Sequence, residues 1–314
     1  MEEAVEEGGR GRWSAVIGLT IAVLLLAVFD ALALVLLPFA ILMVGWPEGR
    51  GAKWVVAGVA LWVVAALLSM GGLSALSRGW GLMLGATYLL FTLARPTWTV
   101  ISRALATVGV TLGAGALGLL VSGRAAELER MVRSHFDTIA EISLANLQTR
   151  IPEAGWLAGL QSTTAQLASL QADIFPALLA LQSIAALALA SWWIRRIGRS
   201  NSHAFALHRL RDFRFNDQLI WVLISALALL LLPLGEVADR IAINGLVFMV
   251  ALYALRGLAV FVFLATGSRS IPTMLIGAVA LIVLYPVAFT AALLMGVGDT
   301  WLDVRRRVAS TTPT

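Results

Sequence analysis

Apolar residues run along this chain in nine long stretches, at 14–30, 32–46, 54–70, 79–94, 104–122, 174–194, 217–234, 242–265 and 271–297. Several match or exceed the roughly 20 residues that a helix needs to cross a bilayer's hydrocarbon, and 242–265 and 271–295 do so almost without charge. The pattern predicts an all-α, polytopic transmembrane helical bundle of eight to nine spans. The apolar run 14–46 is too long for one helix and contains Asp30 and Pro38, which predicts a hairpin of two arms. Between 123 and 173 the pattern changes. Leu128, Met131, Val132, Phe136, Ile139, Ile142, Leu147 and Ile151 recur every three or four residues, the spacing of an amphipathic helix, and Pro152 ends it. Leu157, Leu160, Leu167 and Leu170 predict a second helix, so 123–173 reads as an extramembrane helical hairpin, either a lid over a site or a connector on the membrane surface.

The domain organisation follows: a disordered acidic tail at 1–13, N-terminal membrane helices at 14–122 and the external hairpin at 123–173. C-terminal membrane helices occupy 174–304, with a basic cytoplasmic loop at 195–216, and a tail occupies 305–314. Arg10 and Arg12 resemble a signal n-region, but the apolar run continues far past a 7–15-residue core, so the first span is expected to stay uncleaved.

Composition narrows the chemistry. The chain of 314 residues is 60% hydrophobic and 13% charged, with a net charge of +5. It has no cysteine, which removes disulfides, thiolate metal sites and cysteine nucleophiles. Its single lysine, Lys53, follows no phosphate-binding glycine loop. The basic excess sits in short loops, where arginine sets orientation, rather than marking a nucleic-acid binder. Arg195, Arg196, Arg199, Arg209, Arg211 and Arg214 form the densest cluster and place 195–216 on the cytoplasmic side of a bacterial inner membrane. Phe205, Leu207, Leu210, Phe213 and Phe215 interleave with them, so the loop suits contact with anionic lipid or with a cytoplasmic partner.

Alternation from that loop puts Arg50, Lys53, Arg95, Arg103 and Arg269 on the same side, and Arg78 with the 123–173 hairpin on the other. Nine spans would then leave Arg305, Arg306 and Arg307 outside, against the arginine rule. Either Pro286 breaks the last run, or one earlier short span does not cross.

Catalysis or metal binding needs converging polar groups. His203 and His208 are five apart, and do not share a helical face; Asp299 and Asp303 are four apart, and Asp303 stands four before Arg307, an ion-pair spacing. No catalytic or metal constellation emerges, so a non-enzymatic protein without a cofactor is expected. Polar groups inside spans are costly unless paired or functional. Arg256 is the foremost, nine residues from the end of its span, and both an ion pair and a ligand contact are open to it. Asp30, Asn244 and Gln182 are the other candidates for ligand binding. Gly18/Ala22, Ala27/Ala31, Gly109/Gly113 and Gly115/Gly118 offer small-residue helix contacts.

The C-terminal third carries a resemblance. Asp212-Phe213-Arg214 leads into a Trp221-containing span. Asn244 and Tyr253-Ala254-Leu255-Arg256-Gly257-Leu258-Ala259-Val260 follow, then Gly298-Asp299-Thr300-Trp301-Leu302-Asp303-Val304-Arg305-Arg306. This resembles the YybS-like bacterial membrane proteins, with Asp299, Trp301, Asp303, Arg305 and Arg306 its most specific part. The resemblance implies a helical core similar to the substrate-binding S components of energy-coupling-factor transporters. The resembled family has no assigned activity, so the resemblance brings a fold; one reading built on it is a small-molecule-binding transport subunit served by separate ATPase and coupling chains. Arg256 stands where the resemblance leads one to expect glutamine, a departure that argues against a shared neutral ligand. The competing reading is a structural or regulatory membrane component acting through its basic loop and external hairpin.

Overall fold

A computed structural model describes residues 29–45, 72–150, 157–197, 210–265 and 285–305, parts of 17–26, and the single positions Phe205 and Arg307. The expected span at 54–70, the first half of 271–297 and the acidic tail lie outside the described residues. The described secondary structure is helical, with no strand. Among the described residues, three helices are long and apolar enough to cross a membrane, at 100–122, 175–196 and 236–264, and three shorter apolar helices accompany them. The chain divides into two compact units, Gly18–Leu207 and His208–Thr314 with Met1–Ile17.

The first unit contains α1 (Ala31–Gly45), α2 (Leu73–Ala94), α3 (Val100–Ser122), α4 (Ala125–Arg150), α5 (Leu157–Asp173) and α6 (Phe175–Ile197). The ends of α3 follow from local chemistry. Thr99 caps its start by accepting a hydrogen bond from the Ser102 N–H. Gly123, at φ 67°, closes it in the left-handed region, where the Arg124 N–H reaches back to the Leu119 carbonyl. The expected break in the first apolar run falls where Asp30 accepts from the Leu32 N–H at the start of α1.

α6 forms the centre of this unit, with Ala186, Leu187 and Ala190 fully enclosed. Polar contacts stitch its neighbours to it. Trp80 Nε1 on α2 donates to Ser183 Oγ at 3.0 Å, and Tyr88 and Ser191 share a hydrogen bond of 2.9 Å. These pairs advance together along both chains, so α2 and α6 run in the same direction. α1 runs with them, because Phe29 packs on Phe175 and Phe39 on Trp193. Parallel neighbours need a return connection, and the intervening 46–71 lies outside the described residues. α3 opposes the set, with Arg103 over the Tyr88 ring and Gly115 beside Trp80.

The close crossing of α1 and α2 uses glycines that the small-residue reading passed over. A Cβ on Gly85 would stand 2.8 Å from Pro38 Cα, and one on Gly81 3.1 Å from the Ala33 carbonyl oxygen. Gly109, Gly113 and Gly118 instead have open space beside them, so those expected contacts are absent among the described residues. At the open end of the unit, α4 and α5 pair as the predicted hairpin. Val132, Phe136 and Ala168 are buried, and Arg133 bridges Glu129 and Asp173.

The second unit is built on α8 (Glu236–Ala265), flanked by α7 (Ile220–Leu231) and α9 (Tyr285–Leu302). Both flanking helices run antiparallel to it. α7 lies along its first part, with Gly245 against Ala226, and α9 along its last part. At the second crossing the backbones touch: a Cβ on Gly257 would run into the Ala292 carbonyl, and one on Gly296 into that of Tyr253. Pro286 sits in the first turn of α9, where a missing N–H is harmless.

Candidate functional site: a buried arginine–aspartate network

Arg256 lies where the start of α7, the middle of α8 and the end of α9 converge, and no part of its side chain is exposed. A buried guanidinium stays charged, so it requires anions and acceptors. Its Nε donates to Asp299 Oδ2 at 3.1 Å, its Nη2 to the Asp299 carbonyl at 3.3 Å, and its Nη1 to Asp217 Oδ1 at 2.6 Å. The Phe215 ring covers it at 5.4 Å. Arg305 completes the arrangement, donating to Asp299 Oδ2 at 3.0 Å and to the Phe213 carbonyl at 3.1 Å. On the rim, Arg214 meets Asp303 at 2.6 Å. Three arginines thus face three aspartates, and the charges cancel.

Local structure explains how the side chains arrive. Asn216 caps a short 3-10 turn at Asp217–Leu219 by accepting from the Gln218 N–H, which sets Asp217 at the head of α7. Asp303 takes φ 42°, a left-handed conformation that aspartate tolerates better than most residues, and ends α9. The chain then turns so that Arg305 folds back on Asp299. The spacing of Asp299 and Asp303 suggested one shared helical face; the helix ends between them, and they take different partners.

The position along α8 changes the meaning of Arg256. It is nine residues from Ala265 but twenty from Glu236, a rise of about 30 Å, one hydrocarbon thickness. More than half of the Asp217 side chain is open, so this carboxylate marks the exposed edge of the network. Arg305 and Phe213 belong to the same network, which joins the C-terminal arginines to the end of the basic loop. The described part of the last apolar run is α9, from Tyr285; the stretch before it lies outside the described residues.

The other ligand candidates are engaged elsewhere. Gln182 is fully buried in the first unit, donating to the Val23 and Phe29 carbonyls and accepting from the Phe29 N–H, so it seals the break before α1. Asp30 belongs to that break. Asn244 donates to the Arg240 carbonyl one turn back. The structure does not bring these three together with Arg256. Arg195 and Arg196 are exposed at the end of α6, while Arg199, Arg209 and Arg306 lie outside the described residues, as do His203 and His208. Trp301 faces outward. Asp217 went unnoticed in the sequence, and its only signal was being the first charge before a charge-free run. Beside the network the Tyr253 and Thr300 hydroxyls pair with each other, while the buried Asp299 Oδ1 makes no hydrogen bond among the described residues. No group of three or more metal-ligating side chains occurs among them either.

Apolar helices of spanning length, polar groups paired within the bundle and an internally neutralised charge cluster define a helical membrane protein. The chain belongs to a family described as predicted membrane proteins (DUF2232), which matches residues 14–300. No curated protein and no solved structure matches it.

Proposed function

We propose that this is a non-enzymatic component of the bacterial cytoplasmic membrane that serves as a docking platform. In this reading the basic loop 195–216 is cytoplasmic and engages anionic lipid and a protein partner. The observation that carries it is the Arg256 network. Its buried part fastens Phe213 and Asp217, at the end of the loop, to Asp299 and Arg305 at the end of α9. Arg214, two residues further out than Asn216, is left partly open at the rim. A fastened loop end is pre-organised, which lowers the ordering cost of binding. Arg256 itself is spent on internal pairing, and a ligand would have to displace an aspartate to reach it.

A photo-crosslinking residue at Ser202 in intact membranes tests this. A discrete protein adduct is expected; adducts to lipid alone would remove the partner from the proposal.

A second reading keeps the S-component-like, small-molecule-binding transport subunit, with ATPase and coupling chains separate. It rests on the YybS-like resemblance and on the buried Asp299 Oδ1 beside the network, which a small hydrogen-bond donor would satisfy. A stoichiometric small molecule retained through mild purification would favour it.

A further inference from the structure

The parallel course of α1, α2 and α6 sorts the carboxylates of the first unit by end, while arginines stand at both. At the end where these three helices finish and α3 begins stand Arg95, Arg103, Arg195 and Arg196. Every described acidic residue of the unit, namely Asp30, Glu127, Glu129, Asp137, Glu141 and Asp173, lies at the other end or on the α4–α5 hairpin. The hydrogen-bonded pair Tyr88–Ser191 fixes the level. Arg95 follows Tyr88 by seven residues, and Arg195 and Arg196 follow Ser191 by four and five, so on neighbouring helices they differ in height by about one turn or less. Aromatic rings mark the same level. Arg95 lies over the Trp98 ring at 5.8 Å, Trp98 stacks on Phe91, and Trp193 packs edge-on against Phe39. Tryptophan at a span end is the signature of the headgroup layer.

We infer that this end of the first unit holds an anionic phospholipid headgroup, with Arg95 from α2 and Arg195 and Arg196 from α6 facing the phosphate. The inference rests on the membrane reading and deepens the lipid half of the docking proposal, while remaining independent of any protein partner. Charge complementarity selects the occupant: a cationic rim without described carboxylates, at headgroup depth, fits a phosphodiester better than a neutral or zwitterionic headgroup. Sequence alone ties Arg195 and Arg196 to the loop that follows them. The fold adds Arg95, a hundred residues earlier.

The test is native mass spectrometry of the full chain titrated with phosphatidylglycerol or phosphatidylcholine. Each basic side chain near an anionic surface contributes about 1 kcal/mol, close to a fivefold change in binding. Replacing Arg95, Arg195 and Arg196 together with glutamine should weaken phosphatidylglycerol adducts by about a hundredfold and leave phosphatidylcholine adducts unchanged. Replacing Arg124 and Arg130, at the opposite end, should leave both unchanged. Phosphatidylglycerol adducts that survive the triple change, or that fall equally with Arg124 and Arg130, would overturn the inference. Displacement of the lipid by millimolar inorganic phosphate would also overturn it, assigning the rim to a free anion. Because the readout is lipid and not the Ser202 adduct, failure here and failure of partner docking are separate results.

Discussion

Replacing Arg256 with glutamine keeps hydrogen-bonding capacity and removes the charge, so it separates a structural arginine from a ligand-binding one. Breaking one side of a buried ion pair costs about 3–5 kcal/mol when the remaining charge is stranded. Here Asp299 keeps Arg305 at 3.0 Å, and Asp217 is open enough to return to water. The loss should therefore lie at the lower end, about 3 kcal/mol, with the Asp217 contact supplying no more than about 1 kcal/mol of it. Asp299→Asn removes the anion that two guanidinium groups share, and should approach the upper end, about 5 kcal/mol. The double variant should destabilise by less than the sum, with a coupling of about 1–3 kcal/mol, because the second change removes a partner already lost. Equilibrium unfolding in mixed micelles, followed by tryptophan fluorescence, measures all three. A loss below about 0.5 kcal/mol for Arg256→Gln, or strict additivity in the cycle, would refute the structural account of the network.

Further outcomes follow from the packing. Gly257→Ala or Gly296→Ala should force α8 and α9 apart and destabilise by about 1–3 kcal/mol or more, whereas Gly113→Ala, with open space beside it, should be neutral or gain about 0.5–1 kcal/mol; thermal melts compare them. Gln182→Leu strands the Phe29 N–H and two carbonyls and should cost more than Ser183→Ala, which gives up one interhelical bond worth about 0.6 kcal/mol. In the cysteine-free chain, single cysteines at Ser202 and Ser310 should label from the same side of the membrane and one at Ser143 from the other. Labelling of Ser310 together with Ser143 would contradict the pairing of Arg305 with the 210–219 segment.

Much of the architecture was legible because hydrophobic period and length are local. The 123–173 hairpin, the span read at 104–122 and found at 100–122, and the break near Asp30 came from spacing and turn residues alone. The partners of Arg256 did not. A buried arginine announces that it needs carboxylates, yet Asp217 and Asp299 lie 39 and 43 residues away in sequence, and helical periodicity carries no information about which face meets which helix. Small-residue spacing failed in an instructive way. Gly109/Gly113 and Gly81/Gly85 look alike in the sequence, but only the second pair has another helix against it. Ala292 and Gly296 carried the same spacing and form the tightest crossing. The contact of Arg305 with Phe213 was also beyond the arginine count, since a hydrogen bond across 92 residues leaves no local signal.

Native mass spectrometry of the protein released from its own membrane into mild detergent tests the central claim most directly, with wild type measured beside Arg256→Gln. If Arg256 is a structural fastening beneath a docking loop, neither protein carries a small molecule at one-to-one stoichiometry, and both keep the same anionic lipid adducts. A wild-type protein bearing one small anionic molecule, lost in a variant that remains folded, would contradict the account and assign Arg256 to a binding site.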